Sequence, residues 1–444
     1  MNSEHIKLKC TNVNEEGKGI VKVEKNKFYI PYLIDGEVGN IDVFHTKTGM
    51  SAKLISVVER SPYRVFPKCP HFYQCGGCQL QHMSYEGQCA FKQNITDKLL
   101  DKYCSVNKLI GMDNPYNYRN KAHSTLAMNL KKRIISGIYE ESTRKVVSLD
   151  NCMIQDPIAN TIIDSIRELM KSFKIRPFDP QTGMGLIRHL LIKTGFKSKQ
   201  VMLVIVVTTP IFPSKNNFLK VLLQKHPEIT TVVLNINNKD TSMILGDSEK
   251  VLYGKGFIED DLCGCTFQIS PKSFYQINPL QTEILYNKAI EMADFSGNET
   301  VLDAYCGIGT ISLIVSKKVK EMIGVELNKD AVKDAVQNAK RNKITNTQFY
   351  NADSGDFIID LIREKKFIDV VIMDPPRSGS DEKFLKSLVT LMPKKIIYIS
   401  CNPVTLERDL EYLTSNKYKV TAIQPLDMFP QTVHIECIVK LEKI

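Results

Sequence analysis

Cys401 closes a short apolar run in YISCNPVTLERDL and is followed by a polar, helix-like segment. Three fates are open to such a thiol: core residue, metal ligand or nucleophile. Ionised, it is the strongest nucleophile among side chains and can add to an electron-poor ring carbon. A lone cysteine is most often simply buried. Glu436, in VHIECIVKL, is a carboxylate within another apolar run. Alternation puts Val433, Ile435, Cys437 and Val439 on one face, with His434 and Glu436 on the other. A carboxylate there is either solvated at an edge, or buried with a raised proton affinity that suits a general base. The pattern by itself favours the solvated reading.

Upstream acids and glycines are placed to hold a cofactor. In VLDAYCGIGTISLIVSKK a strand ends at Asp303, a tight loop carries Gly307 and Gly309, and a helix follows. Backbone can then approach a ligand near a helix N-terminus. Glu326 closes the next strand 19 residues after Gly307, the distance at which a carboxylate accepts hydrogen bonds from ribose hydroxyls. Ser312 stands where a dinucleotide fingerprint has its third glycine, which favours an adenosyl cofactor without a pyrophosphate over NAD. Asp374, in DVVIMDPPRSG, ends a further strand on the edge where open parallel sheets bind ligands, and two prolines fix the turn after it. Amino-group methyltransferases often follow such a turn with an aromatic that packs on the flipped base. Arg377 takes that place, which disfavours an exocyclic amine target. Cys401 ends a parallel strand on the same edge, and that weighs against the core reading.

Twelve cysteines without a secretory signal argue for metal binding, catalysis or buried thiols over a disulfide framework. Cys69, Cys75 and Cys78 are spaced by six and three, and Cys152 follows 74 residues beyond Cys78 in DNCMIQDP. Four thiolates could hold a tetrahedral zinc or an iron–sulfur cluster. Zinc usually takes two CxxC knuckles, and one is present; a radical-type cluster wants CxxxCxxC, which is absent. An all-cysteine structural [4Fe-4S] cluster is the first choice, and zinc stays open.

Several elements must position these groups. A chain of 444 residues exceeds what one core usually supports, so two or three domains are expected. With 43% hydrophobic and 24% charged residues it reads as an ordinary soluble globular protein. No run of ~18 apolar residues would span a bilayer. MNSEHIKLKC lacks the regions of a secretory signal, and a cytoplasmic location is expected. Fifty-nine Lys and Arg against 49 Asp and Glu leave a net charge of +10. Such an excess draws a protein toward a polyanion, nucleic acid being the natural candidate, although many lysine-rich proteins carry it without binding RNA.

Residues 1–60 alternate in short runs that predict five strands closing as a small barrel, with a five-stranded sandwich as the alternative. From Ser61 the segment SPYRVFPKCPHFYQCGGCQLQH is loop-rich and needs outside stabilisation; a helix is expected from Ser84 to about Cys104. Residues 115–270 mix strands such as QVMLVIVV with helices such as PIANTIIDSIRELMKSF, an α+β pattern. Beyond Pro271, apolar strands alternating with helical intervals imply a parallel, doubly wound sheet. TVHIECIVKL leaves no room for a crossover and is expected to pair antiparallel with its predecessor.

With CPHFYQCGGCQLQH, FYQIN, DAYCGIGT, DPPRSG, SCNP and HIE in this order, essentially the whole chain resembles the RNA uracil-5 methyltransferases. The likeness is to the bacterial members that modify uridine in 23S ribosomal RNA. It implies an OB-like TRAM barrel that binds RNA over residues 1–60, a central α+β domain with an iron–sulfur cluster and RNA-binding surface over 61–270, and a C-terminal α/β Rossmann-like methyltransferase domain over 271–444. It assigns S-adenosyl-L-methionine contacts to Gln276, Tyr305, Glu326 and Asp374, the nucleophile to Cys401 and the proton acceptor to Glu436. Cys69, Cys75, Cys78 and Cys152 become the ligands of a [4Fe-4S] cluster. The implied activity is methyl transfer to C5 of a uridine in 23S rRNA through a covalent cysteine–C6 adduct, by a monomer that binds RNA and no membrane. The alternatives are a transfer-RNA uracil-5 enzyme, an RNA cytosine-5 enzyme, which also needs an acid at N3, and a non-catalytic RNA-binding factor. Presence of both Cys401 and Glu436 speaks against the last.

Overall fold

A computed structural model describes residues 3–46, 49–140, 143, 145–241 and 243–444. The chain opens with six strands rather than five: β1 (Ser3–Lys9), β2 (Asn12–Val13), β3 (Lys18–Val23), β4 (Asn26–Pro31), β5 (Val38–Thr46) and β6 (Gly49–Glu59). They form two antiparallel three-stranded sheets, β1-β5-β6 and β2-β3-β4. Val21, Phe28, Ile30, Ile41 and Val43 point inward at alternate positions and are buried between them. The extra strand is β2, whose two residues are too few to show an alternation in sequence. Helix α1 (Tyr85–Leu100) is capped by Ser84, whose Oγ accepts from the Gly87 N–H at 3.2 Å.

The middle of the chain builds a mixed seven-stranded sheet. Its elements are β7 (Lys121–Met128), β8 (Ile134–Tyr139), β9 (Val146–Ser148), α2 (Pro157–Ser172), β10 (Ile187–Thr194), β11 (Val201–Val207), α3 (Lys215–Lys225), β12 (Ile229–Ile236) and β13 (Ser248–Tyr253), in the strand order β13-β12-β11-β10-β7-β8-β9. Every residue of β10 and β11 is buried, because both faces are covered. One face packs on α2 and α3; the other faces the hairpin β14 (Ile258–Leu262) and β15 (Cys265–Ile269) and the core beyond it.

The last third follows as α4 (Pro279–Ala293), β16 (Thr300–Asp303), α5 (Thr310–Val315), β17 (Glu321–Glu326), α6 (Lys329–Arg341), β18 (Thr347–Asn351), α7 (Ser354–Arg363), β19 (Val370–Met373), α8 (Glu382–Leu391), β20 (Lys395–Ser400), α9 (Pro403–Thr414), β21 (Tyr418–Leu426) and β22 (Glu436–Lys443). The sheet order is β18-β17-β16-β19-β20-β22-β21, parallel from β18 to β20 as the strand and helix alternation predicts. The order reverses between β16 and β19, which opens a crevice at the carboxyl ends of the strands. β22 pairs antiparallel with its predecessor and also inserts between β20 and β21.

The loop 427–435 leading into β22 lacks regular structure but is firmly tied. The Lys92 ammonium of α1 lies 2.6 Å from the Asp427 carboxylate, both side chains fully buried. Tyr85 donates to the same carboxylate at 2.9 Å. Gln88 and Gln431 exchange two hydrogen bonds of 3.0 and 2.9 Å. Removing one member of such a buried pair leaves an uncompensated charge, at a cost of ~3–5 kcal/mol. The loop therefore delivers β22 from a fixed origin.

Candidate active site

Asp303 ends β16, Glu326 ends β17, Asp374 follows β19 and Cys401 follows β20, so four chemistry-bearing side chains share one sheet edge. Gly309 precedes α5 as its cap; its φ of +82° favours glycine, and a Cβ placed there would crowd Phe349 at 3.0 Å. Ser312 explains the departure from the dinucleotide fingerprint: its Oγ donates to Asp303 Oδ2 at 2.6 Å. Glu326 accepts from the Gly307 N–H at 3.2 Å and from the Asn328 N–H at 2.7 Å. Its carboxylate is thus held beside the glycine loop. Tyr305 lies on this loop with its hydroxyl 3.4 Å from Ser380 Oγ and its ring 5.3 Å from that of Phe384. Gln276 enters from the segment before α4, where its carbonyl accepts from Asn120 Nδ2 at 3.0 Å. Among the described residues no hydrogen bond joins its side chain to the three acids.

Strand register brings Cys401 to Glu436. Ser400 of β20 pairs with Cys437 of β22 at the end of the antiparallel ladder, next to Cys401 and to Glu436. The solvated reading of Glu436 is overturned: the residue is 1% exposed and its Oε1 has no hydrogen-bond partner. The reason is topological, since β21 covers the other side of β22 with Leu426 opposite Glu436. Burial pushes the Glu436 carboxyl well above its ordinary value, the neighbouring Asp374 adds to this, and Arg377 opposes it. Asp374 is itself pushed up to about 7 by burial and by Asp303. Cys401 is pushed up to about 12, first by burial and then by Glu436 and Asp374, with Arg377 again opposing.

Arg377 is held over this pair by its backbone. Its carbonyl accepts from Asn402 Nδ2 at 3.1 Å and from Thr405 Oγ1 at 3.3 Å, which staples the DPPR turn to the first turn of α9. Asn402 also caps α9, accepting from the Val404 N–H at 3.1 Å. Cys401, Arg377, Asn402 and His434 line a cleft of about 540 Å³. Its far walls are the β2–β3 turn and the loop Cys75–Gln79. Burial and the nearby Arg377 push the His434 imidazole down to about 4, so it is neutral near pH 7.

Cys69, Cys75, Cys78 and Cys152 converge on a second cavity of about 200 Å³. Cys75 and Cys78 line both cavities. All twelve cysteines are free thiols. Among the described residues no group of three or more His, Cys, Asp or Glu is gathered to hold a metal ion. Burial raises Cys75, Cys78 and Cys152.

The profile of the tRNA (uracil-5-)-methyltransferase family matches residues 244–444, the stretch that carries every one of these edge residues. An uncharacterised RNA methyltransferase of Caldanaerobacter subterraneus is 40% identical, the alignment covering 99% of this chain and 98% of that protein. The chain belongs to the RNA uracil-5 methyltransferase family. An uncharacterised RNA methyltransferase of Listeria monocytogenes is 37% identical over 99% of this chain and 98% of its own. The crystal structure of the Pyrococcus abyssi tRNA (uracil-54, C5)-methyltransferase with S-adenosyl-L-homocysteine matches with a TM-score of 0.80 and 25% identity, over 98% of this chain and all of that one. Among the described residues of this methyltransferase no helix is long and apolar enough to cross a membrane.

Sequence reasoning noted Arg377 only as a missing aromatic and gave no role to Asn402 or His434. Asn402 was open to recognition, because Asn before Pro at a helix start is a cap signature. Arg377 meets Cys401 across the β19–β20 pair, and His434 meets it only through the return of β22, which no local pattern shows.

Proposed function

We propose that the protein methylates C5 of a uridine in 23S ribosomal RNA, with Cys401 as nucleophile and Glu436 as proton acceptor. The single observation that carries the chemistry is that the β20–β22 ladder ends at Ser400 and Cys437, next to the Cys401 thiol and to a buried carboxylate with a free oxygen that acts on it. C5 of uracil is too weak a nucleophile to take a methyl group unaided. Cys401 adds through sulfur to C6, its thiol proton passing to water in the open cleft that the residue lines, and C5 becomes an enolate carbon. S-adenosylmethionine supplies, when bound, the electrophilic methyl group. Glu436 then takes the proton from C5, the S–C6 bond breaks, and Cys401 is released. Arg377 stabilises the Cys401 thiolate and the developing enolate charge.

Tyr305, Glu326, Asp374 and Gln276 would hold S-adenosylmethionine. The fit is supported by the glycine loop, by the Glu326 carboxylate fixed beside it and by the S-adenosyl-L-homocysteine bound to the Pyrococcus abyssi relative. Residues 1–60 serve as an OB-like TRAM barrel, 61–270 as a central domain and 271–444 as the methyltransferase domain. In the central domain Cys69, Cys75, Cys78 and Cys152 would hold a [4Fe-4S] cluster that cross-links a loop-rich segment. The reading is supported by the four thiols that line one cavity and by the Cys69, Cys75 and Cys78 spacing, which lacks a second CxxC knuckle.

A second reading, a transfer-RNA uridine, is favoured by the Pyrococcus abyssi enzyme, which shares the architecture over 98% of this chain. Mass mapping of 23S ribosomal RNA and bulk transfer RNA from a deletion strain separates the two. Loss of 5-methyluridine from ribosomal RNA alone is expected; loss from transfer RNA alone would replace the first reading with the second.

A further inference from the structure

The cavity shared by the four cysteines has walls that thiols do not explain. Arg119, Lys121 and His123 all line it, at alternate positions of one extended segment that becomes β7. Backbone bonds fix this segment beside the Cys152 turn: the Arg119 N–H donates to the Ile154 carbonyl at 3.0 Å, and the Arg119 carbonyl accepts from the Asp156 N–H at 3.1 Å. Arg119 Nε and His123 Nε2 are buried and find no hydrogen-bond partner among the described residues. Buried donors of this kind are rare, and each calls for an acceptor. No Asp or Glu is among the described residues that line the cavity. Gln81 and Gln155 are the lining side chains with acceptor oxygens, and neither bonds these two atoms, so both atoms remain free to meet a group seated in the cavity.

Resting on the cluster reading above, we propose that Arg119, Lys121 and His123 form a donor strip for the four-iron cluster. Arg119 Nε and His123 Nε2 donate to its sulfurs, and the two cationic side chains offset its charge. An oxidised four-iron core with four thiolates is a dianion, so Arg119 and Lys121 match it in number and sign. N–H donors and cations near sulfur stabilise the reduced, more negative state and raise the reduction potential. The strip would then set how readily the cluster takes up an electron, a property the four ligands leave open.

The test uses the full chain, reconstituted anaerobically with iron and sulfide. Iron content is measured first, and reduction is then followed by electron paramagnetic resonance against potential. Wild type and Arg119→Gln should both bind four irons per chain. The variant should shift about tenfold toward the oxidised form, ~59 mV lower for a one-electron couple. Arg119→Lys, which keeps the charge and loses the fork, should fall between. Iron-loaded variants with the wild-type potential would overturn the strip and leave the cluster reading intact. A wild-type chain that takes up zinc, or no metal, would overturn both. If Arg119→Gln does not fold, Lys121→Gln at the half-buried start of β7 carries the same test.

Discussion

The two cavities that meet at the loop Cys75–Gln79 place cysteines in opposite surroundings. Burial dominates in both, and Cys78 and Cys401 are each pushed up to about 12. Around Cys78 the further push comes from other thiols, in a cavity walled by Arg119, Lys121 and His123. Around Cys401 it comes from Glu436 and Asp374, with Arg377 in opposition. The neighbours thus decide what a raised thiol is for. On the proposed cluster reading, the thiols set among one another and among cations would be deprotonated by the metal they hold. A thiol set among carboxylates keeps its proton at rest, which on the proposed mechanism would spare Cys401 from oxidation and stray metals until C6 takes the sulfur.

The sharpest way to break this comparison is Cys401→Ala. Methyl incorporation should fall by at least ~10⁴-fold, as when a nucleophile is removed, while S-adenosylmethionine still binds by calorimetric titration. Activity near wild type would end the contrast, because both cysteine groups would then be structural. Next comes Glu436→Gln, with a loss of ~10²–10⁴-fold. This variant should trap a covalent RNA adduct, seen as a retarded band on a denaturing gel. A variant that loses turnover without any adduct would move the base elsewhere.

Acidity gives the third test. Glu436 must be ionised to take a proton and its carboxyl is held well above the ordinary value, so the single-turnover rate should still be rising with pH beyond the range in which an ordinary carboxylate ionises. Arg377→Gln should move that rise to higher pH, because Arg377 favours the ionised forms of both Cys401 and Glu436. A rate that falls across this range would contradict the assignment.

The smallest effect concerns stability. Asp303 and Asp374 hold their protons up to about 6 and about 7, against 3.8 for an ordinary aspartate. The folded state binds more protons than the unfolded one across that window, so the contribution of these acids falls as pH rises from about 4 to about 7. Asp374→Asn should leave the Tm unchanged near pH 4 and raise it at pH 8. Equal melting at both values by scanning calorimetry would show that the acids carry no such strain.

Much of this arrangement was legible in the chain. The apolar runs ending at Asp303, Glu326, Asp374 and Cys401 mark one edge of a parallel sheet, because strands covered on both faces read as continuous hydrophobic stretches. The burial of Glu436 was not legible. Alternation assigns a side chain to a face, but whether that face is covered depends on where β22 enters the sheet. The ion pair of Lys92 and Asp427 joins residues 335 apart and leaves no local trace. Arg119, Lys121 and His123 do alternate with period two in YRNKAHST, yet basic residues at that spacing equally describe a solvated strand.

β22, the last strand of the sheet in sequence, lies inside the sheet instead of at its rim. A ribosome delivers this strand after the other six of the same sheet, and domains fold largely as units during synthesis. Until Glu436–Lys443 has emerged, β20 and β21 lack the neighbour that joins them, and limited proteolysis of chains stalled before Glu436 should find both cleavable. On the proposed assignment, a growing chain therefore carries its nucleophile, Cys401, before it carries the proton acceptor, Glu436.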